Sequence, residues 1–155
     1  MTEIKELPDV IKICNQLKEQ VSCDFVGLAI QNKVGPDVRW HYAVGNLNDK
    51  YKRITVRFGK GIAGKIISSG TPMMHTNFPH HVTGKVTDYP IALAEKLNTC
   101  YAVPLFFNHV PKGVLLVGNR EYRSFNDSER ERVLEEAQVL EEILKDYLDF
   151  KSGGL

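Results

Sequence analysis

The chain has 155 residues, 20 Lys and Arg against 19 Asp and Glu, a formal net charge of +1, and 43% hydrophobic and 25% charged residues. That length suits one domain with a single core that folds without a disulfide or metal. The near balance of charge excludes a general nucleic-acid or membrane-surface binder, which would carry a basic excess or a one-sided Lys/Arg stripe, so any ligand is expected to be recognised locally.

Cys14, Cys23 and Cys100 are odd in number and match neither a disulfide framework nor a C-x-x-C metal pair. They read as buried thiols in a reducing cytosol. The start Met1-Thr2-Glu3-Ile4-Lys5-Glu6 is charged, and no window approaches the ~18 apolar residues of a membrane span, so the expectation is a soluble, cytoplasmic protein. Residues 1–150 read as one domain and 151–155 as a disordered tail.

Along the chain, Val10, Ile11, Cys14, Leu17 and Val21 recur at three- and four-residue steps after Pro8, which predicts an amphipathic helix over 9–21. Phe25 to Gln31 and Val38 to Val44 predict a hairpin across Val34-Gly35-Pro36-Asp37. In its second strand Trp40, Tyr42 and Val44 alternate with Arg39, His41 and Ala43, as for one covered face. A third strand is expected over 53–58, a short helix over 62–69 closed by Gly70, and a short strand over 71–76. The stretch from Asn77 to Pro90 has no period and suits a lid over a site. Ile91 to Leu97 predicts a short helix, and Tyr101 to Phe107 with Gly113 to Gly118 a central hairpin around 108–112. The last helix opens with Asn126 as N-cap and Glu129 as its capping-box partner, and its apolar stripe is Val133, Leu134, Ala137, Leu140, Ile143, Leu144, Tyr147 and Leu148. Strands and helices do not alternate regularly, so the fold class expected is α+β, an antiparallel sheet of five to six strands with helices packed on it.

The densest local signal is Phe58-Gly59-Lys60-Gly61-Ile62-Ala63-Gly64-Lys65-Ile66-Ile67-Ser68-Ser69-Gly70-Thr71-Pro72. Its glycines permit positive φ and close backbone approach, and a helix beginning near Ile62 leaves its first amides without intrahelical partners, a place that attracts anions. The glycines alone require no more than a tight strand-to-helix turn. The segment resembles the G-x-G-[IVL]-[AC]-G-x5-G-x-P core of GAF domains, small-molecule sensory modules related to PAS domains. Arg123-Ser124-Phe125-Asn126-Asp127-Ser128-Glu129 resembles the opening of their last helix.

With Trp40 and Asp88-Tyr89-Pro90-Ile91-Ala92 added, the chain is similar to a narrower group, stand-alone GAF proteins that act as cytoplasmic nitrate receptors. That resemblance implies nitrate against the backbone amides of the helix start, beneath the tryptophan and closed by the lid, with Trp40, Ile62, Ala63, Tyr89 and Ile91 as site residues. It also implies no cofactor, no catalysis, and signalling through a sensor histidine kinase of a two-component nitrate-respiration system. Nitrate suits an apolar pocket with a few N–H donors, being planar, monovalent and weakly hydrated, whereas sulfate or phosphate would lose far more hydration there.

Other readings are weaker. A GAF-type free methionine-R-sulfoxide reductase needs a thiolate at the helix start, where this chain has Ala63. The N-K-x-N-F-x3-D-E signature of cyclic-nucleotide GAF domains and the Pro-Ala-Ser-Asp-Ile-Pro stretch of bilin-binding ones are missing. His75, His80 and His81 fit no common zinc spacing. The terminal-helix stripe would also suit a pure interaction module or homodimer, though such a width is more often core.

Overall fold

The computed structural model describes residues 7–78, 80 and 85–148, the side chains of 147 and 148 excepted. The tail expected at 151–155 and part of the lid lie outside the described residues. In chain order the elements are α1 (Pro8–Gln20), β1 (Phe25–Gln31), β2 (Asp37–Val44), a 3-10 turn (Lys50–Arg53), β3 (Thr55–Arg57), α2 (Gly61–Ser69) and β4 (Met73–His75). They continue with a second 3-10 turn (Val86–Asp88), α3 (Pro90–Ala94), β5 (Thr99–Phe107), β6 (Val110–Asn119) and α4 (Asp127–Leu148).

The six strands form one antiparallel sheet in the order β3-β2-β1-β6-β5-β4, the α+β arrangement expected. Two sequence expectations are corrected in detail. Arg53 belongs to a 3-10 turn, leaving β3 three residues long. The β5–β6 loop is only Asn108-His109, both at positive φ (54° and 65°), as a two-residue turn demands, and Phe107 already pairs with Val110. The extra residue is absorbed as a bulge, where Leu105 faces Gly113 and Phe106 faces Pro111.

Both sheet faces are covered, so β1 is buried at every residue. On one face Val26, Leu28, Ile30, Val103, Leu105, Leu115 and Val117 pack against Val10, Cys14 and Leu17 of α1 and Val133, Ala137, Leu140 and Leu144 of α4. On the other, Phe25, Ala29, Ala102, Val114 and Leu116 pack against Ile62, Ala63, Ile66 and Ile67 of α2 and the segment leading into α3. The capping box of α4 forms as expected. Asn126 N–H donates to Glu129 Oε1 (2.9 Å), and Glu129 N–H donates to Asn126 Oδ1 (2.8 Å). Leu134, counted in the expected stripe, is 41% exposed and lies outside the packed face.

A bulge in β2 decides where the tryptophan goes. Leu28 faces Tyr42 and Ala29 faces Trp40, which leaves His41 unpaired between them. Residues two apart normally share a face, but the inserted residue turns Trp40 into the α2 layer and Tyr42 into the α1/α4 layer. The single covered face read from the alternation of β2 is therefore corrected to two. Burial first, then the charge of Arg39, lower the His41 pKa to about 4. A histidine so depressed is neutral in the fold and binds its proton more readily when unfolded. Its contribution is complete above the ordinary value near 6.5 and is lost as pH falls toward 4. Urea midpoints at pH 7.5 and 5.0 are expected to fall with acid in the wild type and to fall less in His41→Gln.

Candidate functional site

The candidate site lies on the second face. Between β3 and α2 the chain reverses through Gly59 and Gly61 at φ of 84° and 65°, a region that favours glycine. Gly59 N–H donates to Gly64 O (2.8 Å) and Lys60 N–H to Arg57 O (2.8 Å), which folds the turn onto the first turn of the helix. Gly64 fits because it lacks a side chain, since a Cβ there would stand 2.1 Å from Arg57 O. The N-cap residue, Lys60, is extended and gives no side-chain cap, and the first turn of α2 carries no acid. Its amides are thus left to a ligand or to water, with the positive end of the helix dipole behind them.

All five residues expected at the site come together around that helix start. Trp40, Ile62, Ala63, Tyr89 and Ile91 are each 1–2% exposed and belong to one apolar cluster. Trp40 reaches it from β2 and lies over Gly27, where a Cβ would be 3.0 Å from Trp40 Cζ3. Tyr89 and Ile91 join it from the segment that opens α3, and Asp88 O stands 3.6 Å from the place a Gly61 Cβ would take. Tyr89 is held on several sides. His75 meets its ring edge-on at 5.0 Å and Phe78 at 6.0 Å, and Lys65 Nζ donates to its Oη at 3.3 Å.

The site's outer frame is an ion pair absent from the sequence reading. Glu95, at the end of α3, is fully buried, and its Oε1 accepts from Leu47 N–H (2.9 Å) and Arg120 Nη2 (2.9 Å). Arg120 also donates to Glu95 O (3.0 Å) and Gly45 O (3.0 Å). This clasp fixes α3 against the loop that follows β2. Asn98 does the same for the lid's first residues, donating to Phe78 O (3.3 Å) and accepting from Phe78 N–H (2.8 Å).

Gly27, Phe78 and Glu95 are residues that sequence reasoning left unassigned, Lys65 counted there only as a charge near the helix start, and His75, expected on the surface or in a loop, is half-buried on β4. One signal was present, because no Asp or Glu occurs between Asp49 and Asp88, so α2 sits in an acid-free stretch that the net charge of +1 conceals. His75 belongs to the Tyr89 contact, and among the described residues no group of three metal-ligating side chains exists. The cysteines are free and buried as expected. Burial pushes Cys14 and Cys100 up to about 12 and Cys23 to about 11.

A sensory-domain fold with a ligand-ready helix start is the class these features define. The chain matches the GAF domain model over residues 11–143 and belongs to that family. Among solved structures it is similar to a hypothetical protein from S. aureus at 32% identity and a TM-score of 0.71, covering 77% of this chain and 98% of that one. It is similar at 32% identity and a TM-score of 0.71 to NreA from Staphylococcus aureus mutated in its nitrate-binding site, covering 77% and 88%. At 21% identity, a TM-score of 0.70 and coverage of 86% and 74%, the free methionine-R-sulfoxide reductase of Neisseria meningitidis shares the fold. No curated protein matches the sequence. Among the described residues no helix is long and apolar enough to cross a membrane.

Proposed function

We propose that this GAF protein is a cytoplasmic nitrate receptor. It holds nitrate at the start of α2 and reports occupancy to a sensor histidine kinase. The observation that carries this reading is the uncapped, acid-free helix start buried under Trp40 and Tyr89 in an apolar cluster. A weakly hydrated monovalent anion enters such a site at modest desolvation cost, and the helix amides and dipole replace its water. The similarity to NreA supports nitrate as that anion and a kinase as the partner.

The reading assigns no catalysis. Ala63 stands at the helix start, where a dipole-activated thiolate would be needed, and burial holds Cys14, Cys23 and Cys100 as neutral thiols. Signalling requires that nitrate change the protein's affinity for the kinase, and α3 with the lid is the element placed to register occupancy, since Tyr89 and Ile91 lie against the site. Thermal unfolding with nitrate, nitrite, chloride, sulfate, a cyclic nucleotide and methionine sulfoxide at matched ionic strength tests the ligand. Nitrate at about ten times its Kd is expected to add about 1.4 kcal/mol, a rise of roughly 3–5 °C, which sulfate and chloride do not give. A rise with methionine sulfoxide instead would contradict the proposal.

A further inference from the structure

The nitrate reading leaves Lys65 without a role. Lys65 lies half-buried on the second turn of α2, its ammonium 3.3 Å from Tyr89 Oη and 5.1 Å from the ring centroid. Among the described residues the ion pairs involve Arg120, Arg123, Arg130, Arg132 and Lys145, and none involves Lys65. A half-buried ammonium facing a phenol has lost part of its hydration without gaining a counter-charge. His75, half-buried on β4, meets the same ring edge-on at 5.0 Å.

We propose that Lys65 is a positioning residue for the anion: its ammonium holds the Tyr89 ring over the start of α2 and supplies the positive charge that nitrate compensates. This rests on the nitrate reading and deepens it. Among the described residues, the groups that face His75 are Lys65 from α2, Tyr89 ahead of α3, and Cys100, its pairing partner on β5, whose thiol burial keeps neutral. Burial and then the charge of Lys65 hold the His75 imidazole below its ordinary value. A bound anion offsets that charge while the burial remains, so nitrate binding draws a proton to His75 and tightens as pH falls below the ordinary histidine value.

Calorimetric nitrate titrations of the wild type, Lys65→Met and Lys65→Arg, each also in a Tyr89→Phe background, test the role, with circular dichroism confirming that each variant folds. Lys65→Met is expected to weaken binding about tenfold and Lys65→Arg about threefold or less. In the Tyr89→Phe background the Lys65→Met loss should shrink to about threefold, the share its charge carries without the phenol, and an undiminished loss there would overturn the positioning role. Proton NMR of His75 supplies a readout that mere structural support would not move. Its titration midpoint should rise in ligand-free Lys65→Met, and in the wild type on adding nitrate. A wild type that binds no nitrate overturns the receptor reading and this inference together. A wild type that binds while Lys65→Met binds within about twofold overturns this inference alone.

Discussion

Gly64→Ala is expected to lower the unfolding free energy by about 3 kcal/mol, a fall in midpoint of about 6–12 °C, and to weaken nitrate binding at least about tenfold. The cause is a backbone contact. A Cβ at Gly64 would stand 2.1 Å from Arg57 O and 3.1 Å from Gly59 N, so α2 must lift away from β3, and its first amides move with it. Gly59 is the control. It is at φ of 84° with nothing within 4 Å of a Cβ, so Gly59→Ala meets only the left-handed backbone penalty, about 1 kcal/mol. Chemical denaturation of both variants with a nitrate titration of each checks the prediction, and equal losses would show that the tight fit at Gly64 is not what holds the helix start.

Arg120→Met carries the second large effect, about 3 kcal/mol of stability, because it strands a buried carboxylate. Glu95 is fully buried, whereas the Arg120 side chain is 26% exposed, so removing the arginine leaves the charge with the larger desolvation cost unpaired. Leu47 N–H still donates to Glu95 Oε1, but α3 loses its tie to Gly45 and to the end of β6. Arg132→Met is the contrast, since Arg132 itself is exposed on α4 and pairs with exposed Glu135 at 3.2 Å and half-buried Glu136 at 3.7 Å, contacts expected to be worth under about 1 kcal/mol. Comparable losses for the two arginines in urea denaturation would contradict the account of the clasp.

These two positions also mark how far the sequence could be read. The helix start was legible because Gly59, Gly61 and Gly64 announce a turn that other residues cannot make, and because the motif around them belongs to a family. The five candidate residues were reached only through that resemblance. Nothing in the period of β2 says that Trp40 faces α2, since the deciding event is the bulge at His41, and a bulge depends on the partner strand. Regular alternation would have put Trp40 and Tyr42 on one face. The Glu95–Arg120 clasp was illegible for a different reason, because the partners are 25 residues apart and their pairing exists only once β6 and α3 are placed. Gly27 shows the same limit. It sits in an apolar run that predicts a strand, while a Cβ there would meet the Phe25 ring of its own strand at 2.9 Å and Trp40 of the neighbouring strand at 3.0 Å, crowding visible only once both rings are placed. The capping box of α4 was fully readable, since its donors and acceptors lie three residues apart.

The central claim is that nitrate sits on the first amides of α2 beneath Trp40. A titration of the uniformly 15N-labelled protein with sodium nitrate, followed through its amide and indole N–H signals beside sodium chloride and sodium sulfate controls, tests it most directly. The account predicts saturable shifts concentrated at Ile62, Ala63, Ile91 and the Trp40 indole that chloride and sulfate do not produce. Shifts scattered over the surface, or equal for the three salts, would contradict it.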